Sequence, residues 1–244
     1  MSLFLTLAFL FSIGSMAGWC LEVVFRRFFS SKNPERKWIN PGFCRGPYLP
    51  LYGSCICLMY LIASLESSIP FSPAVSRLVL FLIMSVCMTG VEYVTGLYLL
   101  KVNHIRLWDY SEQKWNIQGI ICPKFSLAWT VLGAVYYFLI HPRILLALAW
   151  LSRNLAFSFV IGMFYGVFLV DVVISSRLMG HLRAFAVENR VVVRYELLKE
   201  EIRRYREKTL QRYHFFMPFQ TDRALREHLE ELRNRFEEFR PRKG

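Results

Sequence analysis

The sequence predicts an all-α fold: a polytopic helical membrane protein with about five transmembrane helices and a cytoplasmic helical hairpin tail. Three observations lead there. The chain of 244 residues is 55% hydrophobic, above the roughly 45–50% apolar content of an ordinary soluble domain. The excess is uneven, since residues 1–176 carry nearly all of it and residues 177–244 are rich in charge. Within the first part, apolar stretches recur near the length of about 20 residues that a helix needs to cross a bilayer.

The first stretch runs from Leu3 to Phe25. No basic residue precedes it, and it is longer than the apolar part of a cleaved signal, so it is expected to stay in the membrane. The second covers about Tyr48–Leu65, the third about Val75–Leu100, the fourth about Ile121–Ile140 and the fifth about Leu155–Ser176. Pro123 and Lys124 weaken the start of the fourth. Ile144–Leu151 is too short to span alone and reads as an interfacial segment or an early extension of the fifth helix. Lys and Arg orient the spans. Arg26, Arg27, Lys32, Arg36, Lys37 and Arg45 lie between the first and second, and Lys101, Arg106, Lys114 and Lys124 lie between the third and fourth. These loops (26–47 and 101–120) and the tail are expected inside, the N-terminus outside.

From Val191 the apolar residues Val191, Tyr195, Leu198, Ile202 and Tyr205 recur in steps of four and three, as do Leu225, Leu229, Leu232, Phe236 and Phe239. That is the seam of a coiled coil. Pro218 interrupts it, and Thr221 or Asp222 can cap the second helix. Residues 177–244 therefore read as a charged cytoplasmic tail with a coiled-coil hairpin, pairing within one chain or between chains.

The net charge of +12 lies beside membrane helices, where it favours retention inside and attraction to anionic headgroups. No zinc finger, RNA-binding signature or helix-turn-helix pattern appears, and no nucleic acid is expected as a partner. The cysteines, Cys20, Cys44, Cys55, Cys57, Cys87 and Cys122, form no C-x-x-C pair and have no zinc spacing with histidine. No metal and no cofactor is expected.

Three acidic residues interrupt the apolar runs: Glu22, Glu92 and Asp171. An acid at the centre of a membrane helix costs about 2.5–3.5 kcal/mol on insertion scales, so such residues face a bundle interior or a wet cavity. Arg26 is the natural partner of Glu22, and Arg177 of Asp171. Glu92 needs a partner from elsewhere, for which Arg45 and Arg106 are the candidates. The flanking loops, Asn40–Gly53 and Arg106–Cys122, mix aromatic, amide and charged residues with turn formers. Gly42, Gly46, Pro47, Pro50, Gly53 and Gly119 give shape control enough for the chain to re-enter, and backbone that is not helical survives at membrane depth only when buried in protein or lining water. The two loops are expected to form a lid over Glu92. Substrate- or ion-binding candidates are Glu22, Asn40, Arg45, Glu92, Tyr93, Arg106, Asp109, Asn116 and Asp171; the alternative is a purely structural polar cluster.

At these loops the sequence resembles the bacterial membrane family called "putative ABC-transporter type IV", or CmpB-type permeases. The resemblance rests on Gly18, Trp19 and Glu22; on Asn40, Gly42, Phe43, Gly46, Pro47, Pro50, Tyr52 and Gly53; on Glu92, Tyr93 and Thr95; on Arg106, Trp108, Asp109, Tyr110 and Ser111; and on Asn116, Gly119, Cys122 and Ser126. It covers about residues 14–142. Pro41 and Ile120 stand where the family pattern has arginine, Leu107 where it has tryptophan, and Leu100 where it commonly has glutamate. The resemblance implies a bacterial inner-membrane permease served by a separate ATPase. The chain has no G-x-x-x-x-G-K-[ST] phosphate loop and is not itself that ATPase. Three functions are expected from these readings: a permease-like transport component with a cytoplasm-facing polar cavity; a membrane-embedded lipid-handling enzyme with Glu92 or Asp109 as base; or a scaffold recruiting a cytoplasmic protein through its tail. No catalytic signature is readable. The candidate partners are membrane lipids, a second copy of the chain, and a cytoplasmic ATPase or other protein.

Overall fold

The first helix, α1 (Leu3–Phe28), starts where Ser2 accepts a hydrogen bond from the Leu5 N–H and ends with Arg26 and Arg27 in its last turn. Both ends suit a helix, since a capping oxygen satisfies an orphan N–H and basic side chains complement the C-terminal dipole. Next along the chain are α2 (Pro50–Ala63), α3 (Pro73–Asn103), α4 (Pro123–Ala134), a π-helical turn (Val135–Ile140), α5 (His141–Arg153) and α6 (Ser158–Glu188). Pro50, Pro73 and Pro123 each open a helix, where a missing N–H costs nothing. This computed structural model describes residues 2–30, 33–189, 191–195 and 198.

Among the described residues four helices are long and apolar enough to cross a membrane: Leu3–Phe28, Pro73–Asn103, Pro123–Arg153 and Ser158–Glu188. The chain is an all-α polytopic membrane protein. The third of these rods absorbs residues 144–151, which extend the fourth predicted span rather than the fifth. Pro142 has no N–H to continue the ladder. The chain passes it through the π turn, where His141 N–H reaches Tyr136 O, and Arg143 Nη1 donates to Leu139 O at 2.6 Å.

The second predicted span departs from expectation more sharply. Helix α2 has 14 residues, about 21 Å at about 1.5 Å per residue, short of a hydrocarbon core of about 30 Å. It runs antiparallel to α1. Tyr52 packs at Gly18, Gly53 at Ser15 and Phe11, and Ile56 at Gly14, while Cys57 donates to Leu7 O at 3.3 Å. The two backbones touch: a Cβ on Gly53 would sit 2.2 Å from Ser15 Oγ and 2.6 Å from Phe11 O, so no side chain fits there. Before Pro50 the chain is a loop, yet Leu49 N–H still bonds Ser15 O at 2.9 Å, beside the middle of α1. Half-helix and loop together thus occupy the length of one span. The core beside them is Met59, Ile62, Leu80, Met84, Met88, Trp129 and Tyr136.

Two compact units divide the chain: residues 1–95 with 110–178, and residues 96–109 with those from 179 onward. The first holds both acid-bearing regions described below. In the second, Ile105–Arg106 (β1) pairs in parallel with Val193–Arg194 (β2), and Asp109 takes Arg106 at 3.0 Å and Arg194 at 3.4 Å. Residues 201–244, which carry most of the predicted hairpin, lie outside the described residues.

Candidate functional site

The two loops singled out by the sequence are each built around an asparagine. Asn40 Oδ1 accepts from Trp19 Nε1 at 2.9 Å and from Gly42 N–H at 3.1 Å, while Nδ2 donates to Cys44 O at 3.0 Å and Arg45 O at 3.1 Å. All four bonds an amide can make are committed, so Asn40 shapes the loop and has nothing left for a ligand. Asn116 does the same for the second loop, donating to Ser111 O and Gln113 O and accepting from Gly119 N–H at 2.9 Å. Gly119 there has φ 69°, and Gln118 before it has φ 55°; a glycine removes the Cβ clash that left-handed backbone imposes. Asn33, a third such residue not singled out by its sequence context, bonds Arg26 O, Lys37 O and Lys37 N–H.

The first loop is latched by Asp171 of α6. Its carboxylate accepts Arg45 N–H at 3.2 Å, Gly46 N–H at 2.8 Å, Ser175 Oγ–H at 3.0 Å and the Tyr48 hydroxyl. Gly46 is required because a Cβ would meet the Tyr48 ring at 2.4 Å. Asp171 therefore pairs with backbone and hydroxyl donors of a loop instead of the predicted Arg177. A carboxylate with its lone pairs occupied is stable at low dielectric without a cation. Pro47 and the Arg45 side chain point outward and are exposed.

Glu92 on α3 is 3% exposed. Its Oε1 accepts from the Tyr110 hydroxyl at 3.2 Å, and its Oε2, though buried, meets no donor at hydrogen-bond distance and angle among the described residues, although the Trp129 indole lies near enough to favour the charged carboxylate. The second loop delivers Tyr110, whose ring stacks on Phe125 at 4.3 Å. Burial, and then the charge of Glu92, push the Tyr110 phenol far above its ordinary pKa, so it keeps its proton and remains a donor. Trp129 and Glu22 are within electrostatic reach of Glu92. Glu22 is tied to Arg26 at 2.9 Å, as its sequence spacing predicted, and accepts from Tyr52 at 3.1 Å; Tyr52 in turn packs on Trp129 at 5.0 Å. Two carboxylates, two tyrosines and a tryptophan from α1, α2, α3, α4 and the second loop thus form one cluster.

The arginines predicted for Glu92 lie elsewhere: the Arg45 side chain is exposed, only its backbone N–H being used, by Asp171, and Arg106 pairs with Asp109 in the second unit. The hydrogen-bond donor at Glu92 is a neutral hydroxyl, which is cheaper to bury than a guanidinium. The first loop closes on Asp171 and the second on Glu92, so the two do not share Glu92 as a lid. Tyr93 is half-buried and, one residue on, faces another side of α3. Among the described residues no three of His, Cys, Asp and Glu are grouped to hold a metal. Tyr48, Tyr52, Tyr110, Trp129 and Ser175 are not among the binding candidates of the sequence, although Tyr52 and Tyr110 stand among the residues that carry the family resemblance. Aromatic and hydroxyl residues in an apolar run carry no charge signal, and only the closeness of Tyr48 and Tyr52 to Pro47 and Pro50 hints at them.

The family described as "Putative ABC-transporter type IV" matches residues 9–176. The chain belongs to this family. No curated protein and no solved structure matches it. The family region contains Glu22, both loop asparagines, Glu92, Tyr110 and Asp171, and stops short of residues 177–244. In this member of the ABC-transporter type IV family, Ile120, one of the two positions where the resemblance calls for arginine, is 4% exposed, an apolar core site.

Proposed function

We propose that the chain is the permease-like membrane component of a transporter, and that Glu92 is its working residue. The observation that carries this is the buried, unpartnered Oε2 of Glu92. An orphaned buried carboxylate oxygen is costly, and in a protein that moves solutes such a cost is met when a proton or a cationic group arrives. Family membership supports the transport class. Glu22, whose charge is offset by Arg26 and which also accepts from Tyr52, lies within electrostatic reach of Glu92 and lines the same cluster. The membrane is the bacterial inner membrane, with the N-terminus outside and the tail inside, as the distribution of Lys and Arg favours. Residues 177–244 then form a cytoplasmic domain that docks the ATPase or a second copy of the chain.

The test is native mass spectrometry of the full chain taken from its own membrane in mild detergent. A stoichiometric nucleotide-binding subunit is expected, with ATP hydrolysis that falls several-fold in Glu92→Gln while the complex stays assembled. A chain that comes out free of any such subunit, or hydrolysis indifferent to Glu92→Gln, overturns the reading.

A further inference from the structure

Away from the acidic cluster, an open groove of about 550 Å³ runs beside the last turns of α1. Its walls are Trp19, Cys20, Val23 and Val24 from the helix and Trp38, Ile39 and Asn40 from the first loop, the Asn40 amide being committed to Trp19 and the loop. It has almost no polar lining: the indole N–H of Trp19 is already spent on Asn40. Water finds few of the two to four polar partners it needs to be held there, so the groove favours an apolar occupant. Cys20, Val24 and Trp38 are exposed, so it opens outward from a helix that is long and apolar enough to cross the membrane. What an outward apolar groove on such a helix meets is lipid.

The rim is basic. The Arg27 guanidinium lies over the Trp38 ring at 4.1 Å and near Phe28 at 5.6 Å. Arg36, held at φ 52°, donates to the Arg27 carbonyl at 3.0 Å and brings a second guanidinium to the same corner. The acids nearby are committed, Glu22 to Arg26 and Glu35 to Lys37. A guanidinium stacked by its face keeps its N–H edge for a phosphate oxygen. The tryptophans suit the level of the bilayer interface, where headgroups begin.

We propose that this groove is a binding site for an anionic diacyl phospholipid, with one acyl chain along Trp19, Val23, Val24 and Trp38 and the headgroup phosphate on Arg27 and Arg36. It is independent of the Glu92 cluster and does not rest on the transport reading.

The test offers the full chain, purified in mild detergent, equal amounts of phosphatidylglycerol and phosphatidylcholine, and counts retained lipids by native mass spectrometry. The expected result is one phosphatidylglycerol per chain, preferred by about fivefold for each engaged cation. Arg27→Gln brings the preference toward parity, Arg27→Lys restores part of it, and Val24→Trp, which fills the groove, lowers retention of both lipids. Equal retention by the native chain overturns the proposal. So does a preference that survives both Arg27→Gln and Val24→Trp, or a Val24→Trp chain that loses a dimer and keeps its lipid, which would make a second copy the occupant.

Discussion

Asp171 and Glu92 are the same chemical group on long apolar helices of one unit, each met by a tyrosine from a neighbouring loop. Their surroundings differ in completeness. Asp171 receives four hydrogen bonds, two of them from loop backbone. Among the described residues Glu92 receives one within hydrogen-bond geometry, from Tyr110, and its other oxygen has only the Trp129 indole nearby. A saturated carboxylate behaves as part of the scaffold, because removing it strands its donors. A half-satisfied carboxylate is a place where the fold gave up stability, and in the proposed transport role that gap receives the proton or cationic group. The contrast separates latch from site by hydrogen-bond accounting, without reference to position in the sequence.

The largest expected effect comes from Asp171→Ala. It leaves the Arg45 and Gly46 N–H groups and the Tyr48 hydroxyl without their acceptor, and the loss is about 3 kcal/mol or more, since bonds to a charged group contribute about 1.5–3 kcal/mol each. Thermal unfolding in detergent should show a markedly lower midpoint, and cysteines placed along residues 41–47 should become reactive. A midpoint unchanged from that of the native chain would remove the latch.

At Glu92 the comparison predicts a smaller and asymmetric response. Tyr110→Phe keeps the stack on Phe125 and deletes one bond, for a loss of about 1 kcal/mol. Glu92→Gln removes a charge that is poorly compensated, so its unfolding midpoint should match that of the native chain or exceed it. If Glu92→Gln destabilised as much as Asp171→Ala, the two acids would be alike and the distinction would collapse.

The smallest effect concerns an acid in the connection between α2 and α3. Glu66 accepts from Arg77 at 2.8 Å and from Tyr137 at 2.9 Å, and the bond from Arg77 is the chief cause holding its carboxyl below the ordinary range. A depressed folded pKa contributes stability that is present above the unfolded carboxylate pKa and lost as pH falls through the folded value. The pair is partly exposed to solvent, so the effect is small and fades with salt. Unfolding midpoints of native and Glu66→Gln chains should converge as pH drops below the carboxylate range and separate slightly above it; a gap that widened in acid would contradict the pairing.

The long helices were legible because apolar length is a direct signal, and so were Glu22, Glu92 and Asp171, because a charge inside an apolar run stands out. The ion pair of Glu22 with Arg26 was legible because it obeys the spacing of one helical turn. Helix α2 was misjudged in length because Tyr48 and Leu49, although loop residues, are as apolar as the helix they precede. The partners of Glu92 and Asp171 were misjudged for a different reason. A search for opposite charge finds arginines, whereas the fold supplies hydroxyls and backbone N–H groups, and these look the same in every sequence. The loop asparagines have the chemistry of ligand candidates, and only the geometry shows that Asn40 spends its bonds on the loop backbone and on Trp19 of α1.

The latch between the first loop and α6 joins residues 125 and 126 positions apart. Its donors are made early and its acceptor late. At a synthesis rate of about 5–20 residues per second, the ribosome needs on the order of ten seconds to travel from Gly46 to Asp171. Through that interval the loop has no carboxylate to close on, and its free N–H groups belong in water. Helix α2 can already lie along α1, but its entrance stays undressed until the last long helix arrives. The chain is therefore finished from its far end, and anything that delays α6 leaves an open seam beside α1.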